Sequence, residues 1–178
     1  MHMKKTREIF ISLVLFVLAG CSAVGQSTTR IFVVRHADRE SGDDLNQAGM
    51  VRSNELKRVL FNTGIDSIFS TNFVRTTKTV RPLADAMGLP VLLYDSNPPL
   101  LQRIRSSSSG KTLLVAGHSN TVAQLIQSCG CRPPFMNIPD NQFDNLFLII
   151  LTRGTKKRRS GGSCQLLSMK YGAPTPAL

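Results

Sequence analysis

Two histidines in this chain stand where their chemistry could be used. His36 lies in Ile31-Phe32-Val33-Val34-Arg35-His36-Ala37-Asp38-Arg39, and His118 in Leu113-Leu114-Val115-Ala116-Gly117-His118-Ser119-Asn120-Thr121. The third, His2, falls in a segment expected to be removed. A neutral imidazole offers a lone pair for nucleophilic attack, and a reference pKa of about 6.5 leaves a useful neutral fraction at pH 7. Each histidine follows a β-rich apolar run and has polar neighbours. Open α/β sheets take their ligands outside the carboxyl ends of the strands. One histidine beside an apolar run is ordinarily structural, whereas two so placed point to an active site.

The elements that must position them alternate along the chain. Strands are expected at 30–35, 65–70, 91–94 and 111–116, and helices at 46–61, 73–87, 99–105 and 119–128. In the first helix Val51, Leu56, Val59 and Leu60 recur at three to four residues. Gly88 and Pro90 end the second. Two more strands, 146–152 and 164–171, follow one another with only a polar loop between them. This order predicts an α/β fold, a three-layer α/β/α sandwich with a mostly parallel central sheet. The last two strands should add an antiparallel hairpin at the sheet edge.

The first 20 residues read as a lipoprotein signal peptide. Lys4, Lys5 and Arg7 form a basic start, residues 9–19 an apolar stretch, and Leu18-Ala19-Gly20-Cys21 has the form of a lipobox. Eleven helical residues rise about 16 Å at roughly 1.5 Å each, too short to span a bilayer. Cys21 is then the expected lipidation site, and residues 21–29 a tether to the membrane. Ser22 after it, rather than Asp, fits an outer-membrane protein facing the periplasm. A domain over 30–172 and a short tail over 173–178 complete the expected organisation.

The full chain carries a net charge of +11; the leader takes away three basic residues and one acidic one, leaving +9. That balance favours anionic partners such as phosphate esters or anionic lipid head groups. With no zinc-finger spacing, aromatic-interleaved basic stripe or helix-turn-helix pattern, no nucleic acid partner is expected. Nor is any obligate protein partner inferred. Export to an oxidising compartment permits one disulfide, Cys164 with Cys129 or Cys131. No histidine or further cysteine accompanies the Cys129-Gly130-Cys131 pair, which argues against a metal site. Arg153, Lys156, Lys157, Arg158 and Arg159 concentrate charge in the loop before the last strand, either as a solvated hairpin loop or as a patch resting on anionic lipid.

Four motifs, in order, resemble the histidine phosphatase superfamily, which has the phosphoglycerate mutase-like fold. Arg35-His36-Ala37 resembles its Arg-His-Gly signature, and Leu45-Asn46-Gln47-Ala48-Gly49 its Leu-Thr-x-x-Gly. The run Ser70 to Thr79 resembles Ser-x-x-x-x-Arg-Thr-x-x-Thr, and Gly117-His118-Ser119-Asn120 the second-histidine motif. The likeness covers about Arg30 to Lys170. It implies that His36 attacks phosphorus and carries a phosphohistidine, which water then hydrolyses. Arg35 and Arg75 would hold the phosphoryl oxygens with planar, fork-shaped donors. His118 would donate to a phosphoryl oxygen in the transition state. Asn46 and Ser70 are further candidates around the phosphate. No cofactor and no metal are implied.

Two departures matter. Ala37 stands where the family has glycine, an exchange that a negative φ accommodates. The acid that should protonate the leaving oxygen has no clear motif. Asp95, in the turn after the third strand, is the expected catalytic acid, and Asp38, two residues beyond His36, is its rival; each also has a structural reading, Asp95 as a turn former and Asp38 as a partner of Arg39. Asp144, just before a strand, reads as structural. Without an acid, substrates with good leaving groups would be preferred, such as phosphoanhydrides or phosphoramidates. The expected function is a membrane-tethered, metal-independent phosphatase acting on phosphate monoesters of a phosphorylated substrate. A mutase of the same family and a non-catalytic phosphate-binding lipoprotein are the alternatives.

Overall fold

The computed structural model describes residues 27–152 and 163–175. The leader, Cys21 and the basic run from Arg153 to Arg159 lie outside the described residues. No helix among the described residues is long and apolar enough to cross a membrane.

Apolar runs with no polar interruption become the buried strands. The first, β1 (Thr28–Arg35), contains Ile31, Val33 and Val34, all without exposed surface. The chain continues through α1 (Gln47–Leu60), β2 (Ser67–Ser70), α2 (Val74–Met87), β3 (Val91–Leu93) and α3 (Asn97–Ser107). Then come β4 (Thr112–Gly117), α4 (Ser119–Ser128), β5 (Asn145–Thr152) and β6 (Ser163–Lys170). They form a six-stranded sheet in the order β3-β2-β4-β1-β5-β6. The first four strands of that order run parallel, while β5 is antiparallel to both β1 and β6. The expected edge hairpin is therefore present.

Side chains alternate across the sheet, so it has two apolar faces. Ile31, Val33, Leu113 and Val115 pack with Leu100 and Ile104 of α3 and Val122, Leu125 and Ile126 of α4. Phe32, Val34, Leu114 and Ala116 pack on the other face with Leu56 and Leu60 of α1 and Val80, Leu83 and Ala84 of α2. This is the three-layer arrangement that the alternating pattern predicted.

Local signals set the helix ends. Asn46 caps α1, its side chain accepting from the Gly49 N–H at 2.9 Å. Gly88 ends α2 with φ of +65°, a left-handed cap that glycine adopts without cost. Pro98 and Pro99 lie in the first turn of α3, where the missing N–H bonds are not needed.

The inward stripe of α1 differs from the one its apolar residues predicted. Leu56 and Leu60 are buried, but Val51 and Val59 face outward at 53% and 38% exposure. Their places are taken by Gly49, Arg52 and Ser53. A Cβ on Gly49 would come within 2.0 Å of the Asp38 carbonyl oxygen, so the helix meets the chain after His36 there. Arg52 then turns inward to Asp38, which fixes the helix phase.

Of the two disulfide pairings left open, the structure forms Cys131–Cys164, with Cα atoms 5.4 Å apart. Cys129 keeps a free, half-buried thiol whose pKa burial pushes up to about 11. The packed unit also runs into the expected tail. Ala173 accepts a hydrogen bond from Arg52, and Thr175 donates to Asp144 through its N–H and its hydroxyl.

Candidate active site

The register of β1 on β4 brings the two histidines together. Arg35 lies opposite Gly117, and the His36 N–H donates to the Gly117 carbonyl at 2.9 Å. His36 and His118, each one residue further on, therefore emerge side by side at the carboxyl end of the sheet. Their ring centroids are 5.6 Å apart, edge to face at 61°. A Cβ on Gly117 would stand 2.7 Å from the Thr121 hydroxyl, so the tight approach of β4 to the start of α4 needs a glycine.

His36 is 3% exposed, and its Nδ1 lies 2.8 Å from the Ala37 carbonyl oxygen. A carbonyl can only accept, so Nδ1 carries the proton and Nε2 of the neutral ring keeps its lone pair. Burial lowers the His36 pKa to about 4, the Ala37 carbonyl opposes this, and Arg35, Arg75 and His118 lower it further. The ring is therefore neutral at pH 7. The Ala37 N–H donates to Thr79 Oγ1 at 2.8 Å, and that hydroxyl donates to the Arg75 carbonyl, so the chain after the histidine is held on α2.

His118 has its pKa lowered by burial and then by Arg75 and Arg35, with Asp43 opposing. Its Nε2 is 2.9 Å from Thr71 Oγ1. Thr71 gave no signal in the sequence beyond its place after β2. Ser70, one of the candidates, is buried and donates to the Thr71 carbonyl at 2.9 Å, so it shapes the strand end rather than reaching an imidazole.

The two arginines frame the pair. Arg35 is 5% exposed, and its Nη1 donates to the carbonyl oxygens of Pro139, Asp140 and Gln142 at 2.8, 3.2 and 3.2 Å. Arg75 donates through Nη1 to Asp43 Oδ1 at 2.5 Å. Asp43 also accepts the Val74 N–H at 2.9 Å, capping α2 where Phe73 offers no capping side chain. Those bonds hold the Asp43 carboxyl below the usual carboxylate range, the Val74 N–H contributing most. Both arginines nonetheless leave Nε buried without a hydrogen-bond partner. Leaving a buried donor unpaired is costly, and two such donors beside two neutral imidazoles suit an anion.

Each arginine also lies over a phenylalanine that meets one histidine. Arg35 sits 4.4 Å from the Phe143 ring centroid, and that ring is 5.9 Å from His36. Arg75 sits 4.5 Å from the Phe73 centroid, and that ring is 4.9 Å from His118. Neither aromatic was singled out in the sequence.

The remaining candidates make no hydrogen bond to either histidine. Asp38, read as a possible partner of Arg39, is instead gripped by Arg52, with Nε to Oδ2 at 2.6 Å. Arg52 also donates to the carbonyls of Tyr171 and Ala173. Such a paired carboxylate is placed to lock the loop. Asp95 is exposed and lines a cavity of about 190 Å³ with Leu93, Tyr94 and Arg103; no bond joins it to either histidine. Asn46, expected near phosphate, spends its side chain on the α1 cap and on the Arg39 carbonyl at 3.4 Å. Asp144 is structural, as expected, buried and bonded to Lys170 and Thr175. Among the described residues no three His, Cys, Asp or Glu side chains are grouped to hold a metal ion.

Cavity size does not mark the site. A hollow of about 600 Å³ lies against α3, lined by Pro98, Gln102 and Ser106, with no histidine near it. Arg35 and Phe143, with Arg39, Glu40, Ser41 and Asp140, line an open cavity of about 300 Å³.

The chain matches no family model and no curated protein. Solved structures do resemble it. A mycobacterial glucosyl-3-phosphoglycerate phosphatase superposes with a TM-score of 0.60 at 14% identity, over 78% of this chain and 97% of that one. A putative phosphohistidine phosphatase from Agrobacterium tumefaciens gives 0.54 at 17%, over 82% and 99%. A putative alpha-ribazole-5'-P phosphatase from Escherichia coli gives 0.57 at 13%, over 82% and 99%. At such identities the likeness establishes the fold. The chain has the phosphoglycerate mutase-like α/β fold that its four motifs implied.

Proposed function

We propose that this protein is a metal-independent phosphatase that hydrolyses phosphate monoesters through a phosphohistidine on His36. The observation that carries the reading is the pairing of a neutral His36, its Nε2 lone pair free, with two arginines whose Nε–H groups are buried and unpaired. Phosphate offers those donors charged acceptor oxygens. The resemblance of the fold to several phosphatases supports the same class of chemistry.

In this mechanism Nε2 of His36 attacks phosphorus in line with the departing oxygen. Arg35, Arg75 and a protonated His118 nitrogen face the charge that spreads over the phosphoryl oxygens. Water then attacks the phosphohistidine and returns His36 to its starting form. Splitting the reaction in two replaces one difficult displacement by two easier ones. Asp38 and Asp95 have no step to perform in it.

Transfer to water rather than to a second hydroxyl separates this reading from a mutase, and turnover separates it from a phosphate binder. The test is phosphate release by the full chain in detergent, with a chelator present and His36→Ala alongside. Turnover should survive chelation and fall by on the order of 10⁴-fold or more in the variant. A folded wild type that releases no phosphate from any ester or anhydride would sink the proposal.

We also propose that the domain is held on the outer membrane, facing the periplasm, through lipidated Cys21. The basis is the basic start, short apolar stretch and lipobox of the leader. Labelling with radioactive palmitate should mark the wild type and leave Cys21→Ala unmarked; equal labelling of both would overturn it.

A further inference from the structure

We infer that this site is built for aryl phosphates, with Phe73 and Phe143 as the residues that select an aromatic leaving group; the inference rests on the phosphatase reading above. Two independent observations meet here. The first is the aromatic rim. Phe73 is 45% exposed although it lies edge-on to His118, and Phe143, half-buried, faces His36 across the strand ends. A large apolar ring left in water at the edge of a charged site loses the burial that would normally place it inside. Each ring is held by the arginine stacked on it, which fixes its position without covering it completely. A planar leaving group beside the phosphate would find two oriented rings with which to stack or meet edge to face.

The second observation is the state of the carboxyl groups. A carboxylic acid keeps its proton at neutral pH where burial or a like charge raises its pKa. Asp38 is bound to Arg52 at 2.6 Å. Asp43 accepts from Val74 and Arg75, and is held ionised. Asp95 lines a different cavity, and Glu40 and Asp140, beside Arg35, are exposed. Among the described residues none of these carboxyl groups is hydrogen-bonded to either imidazole. On this arrangement the leaving oxygen departs as an anion, and an aryl ring stabilises that anion by delocalising it where an alkyl chain does not.

The bond changes balance without a general acid. Nε2 of His36 forms a bond to phosphorus while the phosphorus–oxygen bond to the aryl group breaks, its electron pair leaving on the phenolate. Water then attacks phosphorus, the nitrogen–phosphorus pair returns to His36, and one water proton stays on the phosphate. The other reaches the phenolate through solvent.

The test compares substrates on the full chain in detergent. The wild type should hydrolyse 4-nitrophenyl and phenyl phosphate, with kcat/KM rising steeply as the phenol becomes more acidic, and turn over glycerol phosphate at least 100-fold more slowly. Phe73→Leu and Phe143→Leu should each lower kcat/KM for phenyl phosphate about tenfold further than for acetyl phosphate, whose leaving group is good but not aromatic. A flat dependence on phenol acidity, glycerol phosphate turned over as fast as phenyl phosphate, or equal losses on phenyl and acetyl phosphate would each overturn the inference and leave the phosphatase reading standing. Loss of activity in Glu40→Gln or Asp140→Asn, confined to alkyl substrates, would also overturn it by revealing an acid. Absence of turnover on every substrate, acetyl phosphate included, would remove both. The wild-type acidity series needs no variant, so a misfolded phenylalanine mutant would not protect the idea.

Discussion

The two ends of β1 and β4 treat polar groups in opposite ways. At the amino end each buried group is answered by the protein: Thr29 donates to the Ser108 carbonyl and accepts from the Gly110 N–H, and Asp66 accepts the Thr112 N–H at 2.8 Å. Close by, the Cys131–Cys164 disulfide fastens the region after α4 to β6. At the carboxyl end, where Arg35 closes β1 and Arg75 opens α2, two guanidinium Nε–H groups are buried unpaired and two imidazoles have lowered pKa values. A parallel ladder brings like ends of its strands together, so one edge of the sheet can be spent on stability and the other on chemistry. The difference teaches where the fold tolerates unsatisfied polarity, which is where a ligand can repay it.

That contrast can be broken first from behind the site. Arg52→Met should destabilise the protein by about 3–5 kcal/mol, because the Asp38 carboxylate would lose its charged partner in a poorly exposed position. Urea unfolding reads this directly, and a loss below 1 kcal/mol would show that the ion pair is dispensable to the loop. Arg75→Ala should behave conversely, lowering kcat/KM by on the order of 10²–10³ with little change in melting temperature. Its partner Asp43 is 44% exposed and can be solvated when left alone. A large drop in stability with intact activity would invert the assignment of the two ends.

The pH dependence sharpens the comparison. His36 in the folded protein has a pKa of about 4, below the ordinary 6.5, so the unfolded chain takes up this proton first. Its contribution to stability is complete above pH 6.5, declines as the pH falls toward 4, and levels off below that. The denaturation midpoint of the wild type should show that slope between pH 6.5 and 4, and His36→Ala should show less of it. Phosphoryl transfer requires the same neutral ring, so that requirement alone should not limit kcat/KM between pH 7 and about 5. Thr29→Val, at the other end, should cost only about 1 kcal/mol and leave turnover unaltered. An activity defect there would mean that the two ends are coupled through the strands.

How much could be read beforehand follows from the range of each interaction. The uninterrupted run at 31–34 had to be a strand buried on both faces, and the glycine at 88 had to stop a helix; these depend on neighbours in sequence. Arg52 gave no such signal. Among Val51, Leu56, Val59 and Leu60 it reads as the solvent side of a helix, and only Asp38, 14 residues away, turns that face inward. Asp43 capping α2 from 31 residues away was invisible for the same reason. So were the two phenylalanines, which belong to different loops and matter through the arginines laid on them.

The sequence by itself determined the order of strands and helices, the two apolar faces of the sheet, and the presence of His36 and His118 at strand ends. Those features rest on hydrophobic periodicity and turn chemistry, which act over a few residues. Only the tertiary structure decided that β1 and β4 are neighbours in register, which sets the imidazoles 5.6 Å apart. It alone chose Cys131 over Cys129 as the partner of Cys164, tied Asp38 to Arg52 and left both arginine Nε–H groups unpaired. Those outcomes depend on which distant segments meet, and on burial, which turns a modest charge interaction in water into one that sets protonation state and orientation.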